Sequence, residues 1–178
     1  MQIFIIGFMG SGKTTVGRKL ANKTGCSFYD LDHLIEEKEQ QSIASIFETK
    51  GENTFREIEK QRLRKFHGSD HYVLSTGGGT PVFHENMDWM LANGVVVYLK
   101  AEPAFLASRL KNEKSKRPLI AGKNDEELKV FITKMLEKRE PFYKKAHLEF
   151  PAKGLNAQKL NELATTLTTQ YPHRQTPR

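Results

Sequence analysis

Five short, mostly apolar runs are spaced along the chain and are bounded by glycine, proline or polar residues. Such a run is typical of a strand that is buried on both faces of a sheet. The predicted strands are residues 2–6, 27–29, 72–75, 95–99 and 147–150. Residues 95–99 give the clearest signal and residues 147–150 the weakest.

Segments with apolar residues three and four positions apart lie between these runs and indicate helices. The predicted helices are residues 14–23, a helix capped by Ser42, residues 54–66, a helix through Met87 and Met90, and residues 103–110, 125–139 and 158–167. Strands that alternate with helices predict an α/β fold, a three-layer α/β/α sandwich around a mainly parallel five-stranded sheet. We expect one domain over residues 1–171 and a frayed tail over residues 172–178.

Composition narrows the class of protein. The chain of 178 residues is 38% hydrophobic and 28% charged, which suits a folded globular protein. We find neither an apolar run of about 20 residues nor a secretory signal at the start, so we expect a cytoplasmic protein without a membrane segment. Cys26 is the one cysteine, which excludes an internal disulfide and a cysteine metal cluster.

The net charge of +7 is compatible with two kinds of partner. A basic chain attracts nucleic acid, but here lysine and arginine are scattered and form no dense basic run with interleaved aromatic residues. A small anionic substrate accounts for the charge equally well. We therefore do not expect nucleic acid as a partner.

A glycine-rich loop follows the first predicted strand and opens the first helix. Its sequence GFMGSGKT, residues 7–14, matches the phosphate-binding pattern G-x-x-x-x-G-K-[ST]. Backbone N–H groups of such a loop point at phosphate oxygens, Lys13 can reach the β- and γ-phosphates, and the Thr14 hydroxyl can bind Mg²⁺. The predicted ATP-binding residues here are Gly10, Ser11, Gly12, Lys13, Thr14 and Thr15.

Two carboxylates follow the second predicted strand. If residues 30–32 stay extended, Asp30 and Asp32 point to the same side, toward the phosphate site. Asp30 could then hold Mg²⁺ through water while Asp32 meets a substrate hydroxyl. A solvated loop with two aspartates is commonplace, however, so this pair alone identifies no acceptor. We find neither a guanine-binding N-K-x-D signature nor an apolar run ending in Asp-Glu.

Six segments together resemble the shikimate kinase family over residues 2 to about 150. They are GFMGSGKT (7–14), DLD (30–32), SIASIF with GENTFREIE (42–47 and 51–59), STGGG (75–79), RPL (117–119) and REPFY (139–143). The third and fourth are far more specific than a phosphate loop. Two departures from the family pattern are Ser45, where Asp or Glu is frequent, and Thr80-Pro81, where a small apolar residue is more common.

This resemblance implies a kinase that transfers the γ-phosphate of ATP, with Mg²⁺, to the 3-hydroxyl of shikimate in aromatic amino acid biosynthesis. It implies that Asp32 positions that hydroxyl or accepts its proton late, and that Lys13 and Arg117 stabilise the transferring phosphate. Residues 33–62 would form a substrate-binding helical region and residues 111–124 a mobile lid that carries Arg117. The resemblance also suggests a monomer.

The resemblance further places the acceptor between arginines and glycines. The residues implied for shikimate are Asp32, Arg56, Gly77, Gly78, Gly79 and Arg139, with both arginines at its carboxylate and Arg109 over the adenine of ATP. Arg56 and Glu59 are three residues apart on a predicted helix, so Glu59 can orient the guanidinium. Phe47 and Phe55 could form a wall for the substrate ring or belong to the core.

Three other functions stay open at this point. A gluconate-type kinase has the same scaffold, but the Arg56–Glu59 pair and the triple glycine argue against it. A nucleic-acid-binding protein that uses ATP as a switch conflicts with the scattered charge. A binding module that has lost catalysis conflicts with the presence of each proposed catalytic residue: Lys13, Asp32 and Arg117.

Overall fold

A computed structural model describes residues 1–66, 68, 70–112 and 118–171. Five strands form one sheet in the order β2-β3-β1-β4-β5, and each pair of neighbours is parallel. The strands are β1 (Gln2–Ile6), β2 (Ser27–Asp30), β3 (Tyr72–Ser75), β4 (Val95–Lys100) and β5 (Leu148–Pro151). All five predicted strands are confirmed, with shifts of one residue at some ends.

The described residues also contain seven α-helices. They are α1 (Lys13–Thr24), α2 (Leu31–Glu39), α3 (Ile43–Arg64), α4 (Asn86–Asn93), α5 (Pro103–Leu110), α6 (Asp125–Tyr143) and α7 (Ala157–Gln170). Short 3₁₀ turns occur at Thr80–Val82 and Pro118–Ile120. No helix in the described ranges is both long and apolar enough to cross a membrane.

Strand β1 lies at the centre of the sheet, between β3 and β4. Its residues Ile3, Phe4, Ile5 and Ile6 are each fully buried. Because successive side chains of a strand point to opposite faces, this burial shows that both faces of the sheet are covered. The three-layer α/β/α fold is therefore confirmed, and the loop after Ile6 lies at the carboxyl end of the central strand, where open α/β sheets bind ligands.

No separate helix was predicted where α2 lies, although most of α2 falls within the helical region 33–62 that the resemblance implied. The side chain of Asp30 accepts a hydrogen bond at 3.1 Å from the backbone N–H of Asp32, which ends β2 and caps the new helix. The expectation of an extended segment over residues 30–32 was therefore wrong. Asp30 is the last residue of the strand and Asp32 lies in the first turn of α2.

Helix α3 joins the two segments that the sequence predicted as separate helices. Gly51 has φ 77° and ψ 169°, so the helix is kinked at the residue where a break was expected. The predicted cap is confirmed, because the Ser42 hydroxyl accepts a hydrogen bond from the Ser45 N–H at 3.1 Å. Arg56 and Glu59 lie in the part of α3 after the kink.

Helix α6 differs from its prediction at both ends. Its N-cap is Asn124 rather than Asp125, and Asn124 and Glu127 form a reciprocal capping box. The helix continues through Pro141 to Tyr143, beyond the predicted end near residue 139. Arg139 is consequently held inside a helix.

Candidate active site

The phosphate loop connects β1 to α1 and has the backbone form that its glycines allow. Gly10 has φ 79° and Gly12 has φ 95°, a left-handed region that other residues rarely adopt. Gly12 is the N-cap of α1, and no side chain caps the helix or places a carboxylate in its first turn. The positive end of α1 therefore faces the pocket without a carboxylate from its own first turn, which suits a phosphate site.

A pocket of about 260 Å³ opens above this loop. It is lined by Met9, Gly10, Gly12, Lys13, Thr14, Thr15, Asp30, Asp32, Ser75, Thr76, Gly77, Gly78 and Arg109. Ser11 does not line it: its hydroxyl is buried and has no hydrogen-bond partner within the described residues. The Lys13 ammonium donates to the carbonyl of Phe8 at 3.1 Å, which holds it along the loop.

Thr14 and Asp30 meet at the mouth of this pocket. The Thr14 hydroxyl donates to Asp30 Oδ2 at 2.8 Å, so the two proposed magnesium ligands are already neighbours. Hydroxyl and carboxylate oxygens are the donors that Mg²⁺ prefers, and the ion usually adds water and substrate phosphate oxygens. The residues present therefore fit a Mg²⁺–nucleotide complex.

Arg109 comes to the phosphate loop from the last turn of α5. Its guanidinium lies 3.5 Å from the point where a Cβ on Gly12 would stand and 5.6 Å from the centre of the Phe105 ring. It is exposed on its outer side and lines the pocket. This position supports contact with a bound nucleotide.

Asp32 reaches the same pocket from the first turn of α2. Burial raises the pKa of this carboxyl to about 6, the neighbouring charges of Asp30 and Glu59 add to the rise, and Lys13 opposes it. Asp30 and Asp32 do not lie two apart on one strand, as the sequence analysis supposed. Both carboxylates still line one pocket, because α2 begins where β2 ends.

Arg56 and Glu59 form a buried ion pair, as their spacing predicted. Arg56 Nη1 donates to Glu59 Oε2 at 2.9 Å, and the two residues are 6% and 0% exposed. Glu52, one turn earlier, accepts from Arg56 Nε and Nη2 through one exposed carboxylate oxygen. Thr80 donates to the other oxygen of Glu59 at 2.5 Å.

The triple glycine gives these groups the room they occupy. A Cβ on Gly79 would lie 2.6 Å from Arg56 Nη2, and one on Gly78 would lie 3.2 Å from Arg139 Nη1. A Cβ on Gly77 would lie 2.9 Å from Glu59 Oε1. The two guanidinium groups therefore pack directly on consecutive glycines beside the phosphate pocket.

Arg139 is a buried cation without a carboxylate partner among the described residues. It is 6% exposed, its Nη1 atom makes no hydrogen bond, and its guanidinium lies 5.3 Å from the ring centre of Phe8. Tyr143, one turn further along α6, donates its hydroxyl to the carbonyl of Gly78. A buried charge is costly unless it is paired, so the Arg139 guanidinium, which also interacts with the Tyr143 side chain, is placed to bind an anion.

Aromatic rings surround the Arg56 guanidinium. Its central carbon lies 5.8, 5.1 and 4.4 Å from the ring centres of Phe47, Phe55 and Phe83. Phe55 is buried, whereas Phe47 is half-buried and packs on it at 4.5 Å. Both phenylalanines contact the core and also the Arg56 guanidinium. A role in the core and a role as a wall for the substrate ring are therefore compatible.

The proposed site residues fall into two adjoining groups. The described nucleotide residues other than Ser11 line the 260 Å³ pocket together with Asp32, whereas Arg56, Gly79 and Arg139 lie beside it, joined to it through Gly77 and Gly78. Arg117 lies outside the described residues, as do 113–116 of the predicted lid. Sequence reasoning gave no site role to Glu52, Thr80, Phe83 or Tyr143. Glu52 carried a signal in its four-residue spacing from Arg56, and Tyr143 in its place within the segment 139–143 that resembles the family.

A phosphate loop at the carboxyl end of a parallel sheet, flanked by carboxylates and by buried arginines, defines a P-loop kinase that acts on a small molecule. A family model described as shikimate kinase matches residues 9–169. The chain belongs to the shikimate kinase family.

Individual relatives agree with this assignment. A shikimate kinase of Parabacteroides distasonis is 46% identical over 154 residues, which are 86% of this chain and 89% of that protein. The crystal structure of a shikimate kinase from Bacteroides thetaiotaomicron superposes with a TM-score of 0.87 at 37% identity, covering 97% of this chain and 99% of that one. A shikimate kinase from Acinetobacter baumannii, solved in complex with shikimate, gives 0.80 at 34% identity, with 95% and 91% covered.

Proposed function

We propose that the chain transfers the γ-phosphate of ATP to the 3-hydroxyl of shikimate and releases 3-phosphoshikimate and ADP. The observation that carries this proposal is the pair of buried arginines, Arg56 and Arg139, on the glycines beside the phosphate pocket. Shikimate carries a carboxylate that these guanidinium groups can bind through paired hydrogen bonds.

The carboxylate end of the acceptor would complete the charge balance of this site. Arg56 is already neutralised by Glu59, and the buried Arg139 has no carboxylate partner in the described part of the chain. An incoming carboxylate would accept from Arg139 Nη1 and approach Arg56 over Gly78 and Gly79. Phe47 and Phe55 would flank the ring of the acceptor.

The hydroxyl end of the acceptor would lie at Asp32. With a pKa near 6, Asp32 is mostly ionised at neutral pH and can accept a hydrogen bond from the attacking hydroxyl. An alcohol is a much weaker acid than a carboxyl group, so its proton leaves late, as the bond to phosphorus forms. Asp32 thus orients the nucleophile and then receives the proton.

The nucleotide would occupy the pocket over the phosphate loop. Backbone N–H groups of residues 10–15 and Lys13 would hold the β- and γ-phosphates, and Arg109 would cover the base. Thr14 and Asp30 would hold Mg²⁺, which offsets negative charge on the phosphates. The protein residues would hold the γ-phosphate of ATP and the attacking hydroxyl of shikimate in line for transfer.

The lid, the domain limits and the assembly belong to the same proposal. Residues 111–124 would close over the phosphates, bring Arg117 to the transferring group and exclude water. Residues 33–62 would carry the acceptor site, within one domain over residues 1–171. A monomer in the cytoplasm fits this function, and no partner beyond ATP and shikimate is required.

The test is ADP release from ATP·Mg²⁺ with shikimate, quinate, gluconate and nucleoside monophosphates offered separately. We expect rapid turnover with shikimate and little with the others, and phosphorus NMR should show the product phosphorylated at the 3-position. Turnover with gluconate or a nucleotide alone would overturn the assignment of the acceptor. Absence of turnover with every acceptor would favour a binding module or a switch.

A further inference from the structure

We propose that Thr80 is a positioning residue for the acceptor: its hydroxyl fixes Glu59, and through Glu59 it fixes the guanidinium of Arg56. This inference rests on the proposed function and adds to it a residue that does not touch the acceptor. Thr80 stands directly after the triple glycine, at the first position of the 3₁₀ turn Thr80–Val82.

The first observation is that the two carboxylate oxygens of Glu59 accept hydrogen bonds from different residues. Oε1 accepts from the Thr80 hydroxyl at 2.5 Å, and Oε2 accepts from Arg56 Nη1 at 2.9 Å. Thr80 and Glu59 are both fully buried. A carboxylate bonded at both oxygens cannot rotate without losing one partner, so the Thr80 bond fixes the plane in which Arg56 is held.

The second observation is that Arg56 has no other buried carboxylate partner among the described residues. Its remaining carboxylate partner, Glu52, has a side chain that is 55% exposed. Exposed ion pairs contribute little, because solvent screens the charges and both side chains lose freedom. The orientation of the guanidinium therefore depends on Glu59, and the orientation of Glu59 depends on Thr80.

The third observation concerns what surrounds the bonded oxygen. A Cβ placed on Gly77 would lie 2.9 Å from Glu59 Oε1, 3.1 Å from Asp32 Oδ1 and 3.1 Å from Thr80 Oγ1. These three oxygens thus cluster around one glycine. Without the Thr80 hydroxyl, Glu59 Oε1 would be buried near a second carboxylate with no described donor, which is unfavourable unless Glu59 moves.

The fourth observation is that the backbone holds Thr80 itself in place. Its N–H donates to the Gly77 carbonyl at 3.2 Å, and its carbonyl accepts from the buried side chain of Asn86 at 3.1 Å. Pro81 follows inside the same turn, where the fixed φ of proline suits a helical first turn. The hydroxyl is consequently presented to Glu59 from a fixed turn.

Two substitutions separate positioning from simple packing. Thr80→Val keeps the shape and removes the hydroxyl, whereas Thr80→Ser keeps the hydroxyl and removes a methyl group. If Thr80 only fills space, Thr80→Val should be the milder change. If it positions Glu59, Thr80→Ser should restore near wild-type behaviour and Thr80→Val should not.

The experiment measures KM for shikimate, KM for ATP and kcat, with the melting temperature as a check of folding. For Thr80→Val we expect KM for shikimate to rise by about tenfold or more, because a hydrogen bond to a buried charge is lost, while KM for ATP stays within about twofold. Thr80→Ser should stay within about threefold in both. Thr24→Val, which removes a hydroxyl from the last turn of α1, is the matched control.

A double substitution tests the route through Glu59. In a Glu59→Gln background, Thr80→Val should change KM for shikimate by less than about threefold, because the two changes break the same chain of contacts. Equal KM values for Thr80→Val and wild type would overturn the proposal, as would a Thr80→Ser protein as impaired as Thr80→Val. If Thr80→Val does not fold, Thr80→Ala takes its place against Thr80→Ser. A wild-type protein that does not turn over shikimate would remove both this inference and the function on which it rests.

Discussion

The two halves of the site are built in different ways. The phosphate half is built mainly from one contiguous stretch, residues 7–15, and is proposed to hold a nucleotide mostly through backbone N–H groups at the start of α1. The acceptor half is assembled from separate segments: Asp32 on α2, the Arg56–Glu59 pair on α3, residues 77–80, and Arg139 on α6. The first half depends on loop shape and the second on side chains that hold one another.

This difference predicts separable defects. A backbone cradle is insensitive to side-chain changes made elsewhere, whereas a network of buried ionic side chains loses function when one partner is removed. Substitutions in the acceptor half should therefore alter the kinetics of shikimate and leave the binding of ATP intact.

The largest effect is expected at Asp32, where the two halves meet. Asp32→Asn removes the group that we propose orients the attacking hydroxyl and receives its proton, and kcat should fall by roughly 10³-fold. The dissociation constant of ATP, measured by calorimetry, should change by less than about threefold. The exposed Asp88→Asn on α4 is the control. Near-normal kcat in the Asp32 variant would refute its role.

A smaller loss of activity is expected from adding one methyl group to the triple glycine, residues 77–79. A Cβ on Gly79 would lie 2.6 Å from Arg56 Nη2, so the guanidinium must move, and kcat/KM for shikimate should fall by about 10²-fold in Gly79→Ala. In Gly78→Ala the added Cβ would lie 3.2 Å from Arg139 Nη1 and also 3.2 Å from the backbone N of Met9 in the phosphate loop, so KM for ATP should rise as well. An unchanged kcat/KM for shikimate in Gly79→Ala would contradict the packing described above.

The smallest effect concerns stability and its dependence on pH. Because the pKa of Asp32 is raised from 3.8 to about 6, the ionised carboxyl destabilises the folded protein above pH 6, and this cost shrinks as the pH falls from 6 to 4 and disappears below about pH 3, where the folded and unfolded forms are both protonated. Asp32→Asn should therefore be more stable than wild type by about 3 kcal/mol at pH 7.5, with most of the difference gone at pH 4.

Thermal unfolding in a buffer with a metal chelator measures this difference. The melting temperature of Asp32→Asn should exceed that of wild type by several degrees at pH 7.5, and the gap should close as the pH falls through 6. Asp88→Asn again serves as control and should show no such trend. A lower melting temperature for Asp32→Asn at pH 7.5 would show that the carboxylate stabilises the fold.

The sequence was sufficient to predict the elements that are determined by neighbouring residues along the chain. The apolar runs located all five strands, and the phosphate loop was complete within eight residues. Helix α2 was missed because its start depends on one side-chain cap, from Asp30 to the Asp32 N–H, in a segment that also fits an extended chain. The extension of α6 past Pro141 was missed because proline inside a helix usually marks its end.

In the site, the sequence could predict pairs on one helix but not contacts between elements. The three-residue spacing of Arg56 and Glu59 predicted their ion pair. Nothing in the sequence indicated that Thr80 would meet Glu59, or that Tyr143 would reach the Gly78 carbonyl, because those partners lie 21 and 65 residues away. The roles of Arg117 and of the tail over residues 172–178 lie outside the described residues and stay predictions.

The central claim is that the two arginines select an acceptor by its carboxylate. The most direct measurement compares kcat/KM for shikimate with that for its methyl ester, in wild type and in Arg139→Met. We predict that wild type prefers shikimate by roughly 10²-fold or more, because the ester leaves a buried cation unpaired, and that Arg139→Met loses most of this preference with KM for ATP unchanged. Equal kcat/KM for the two acceptors in wild type would contradict the account.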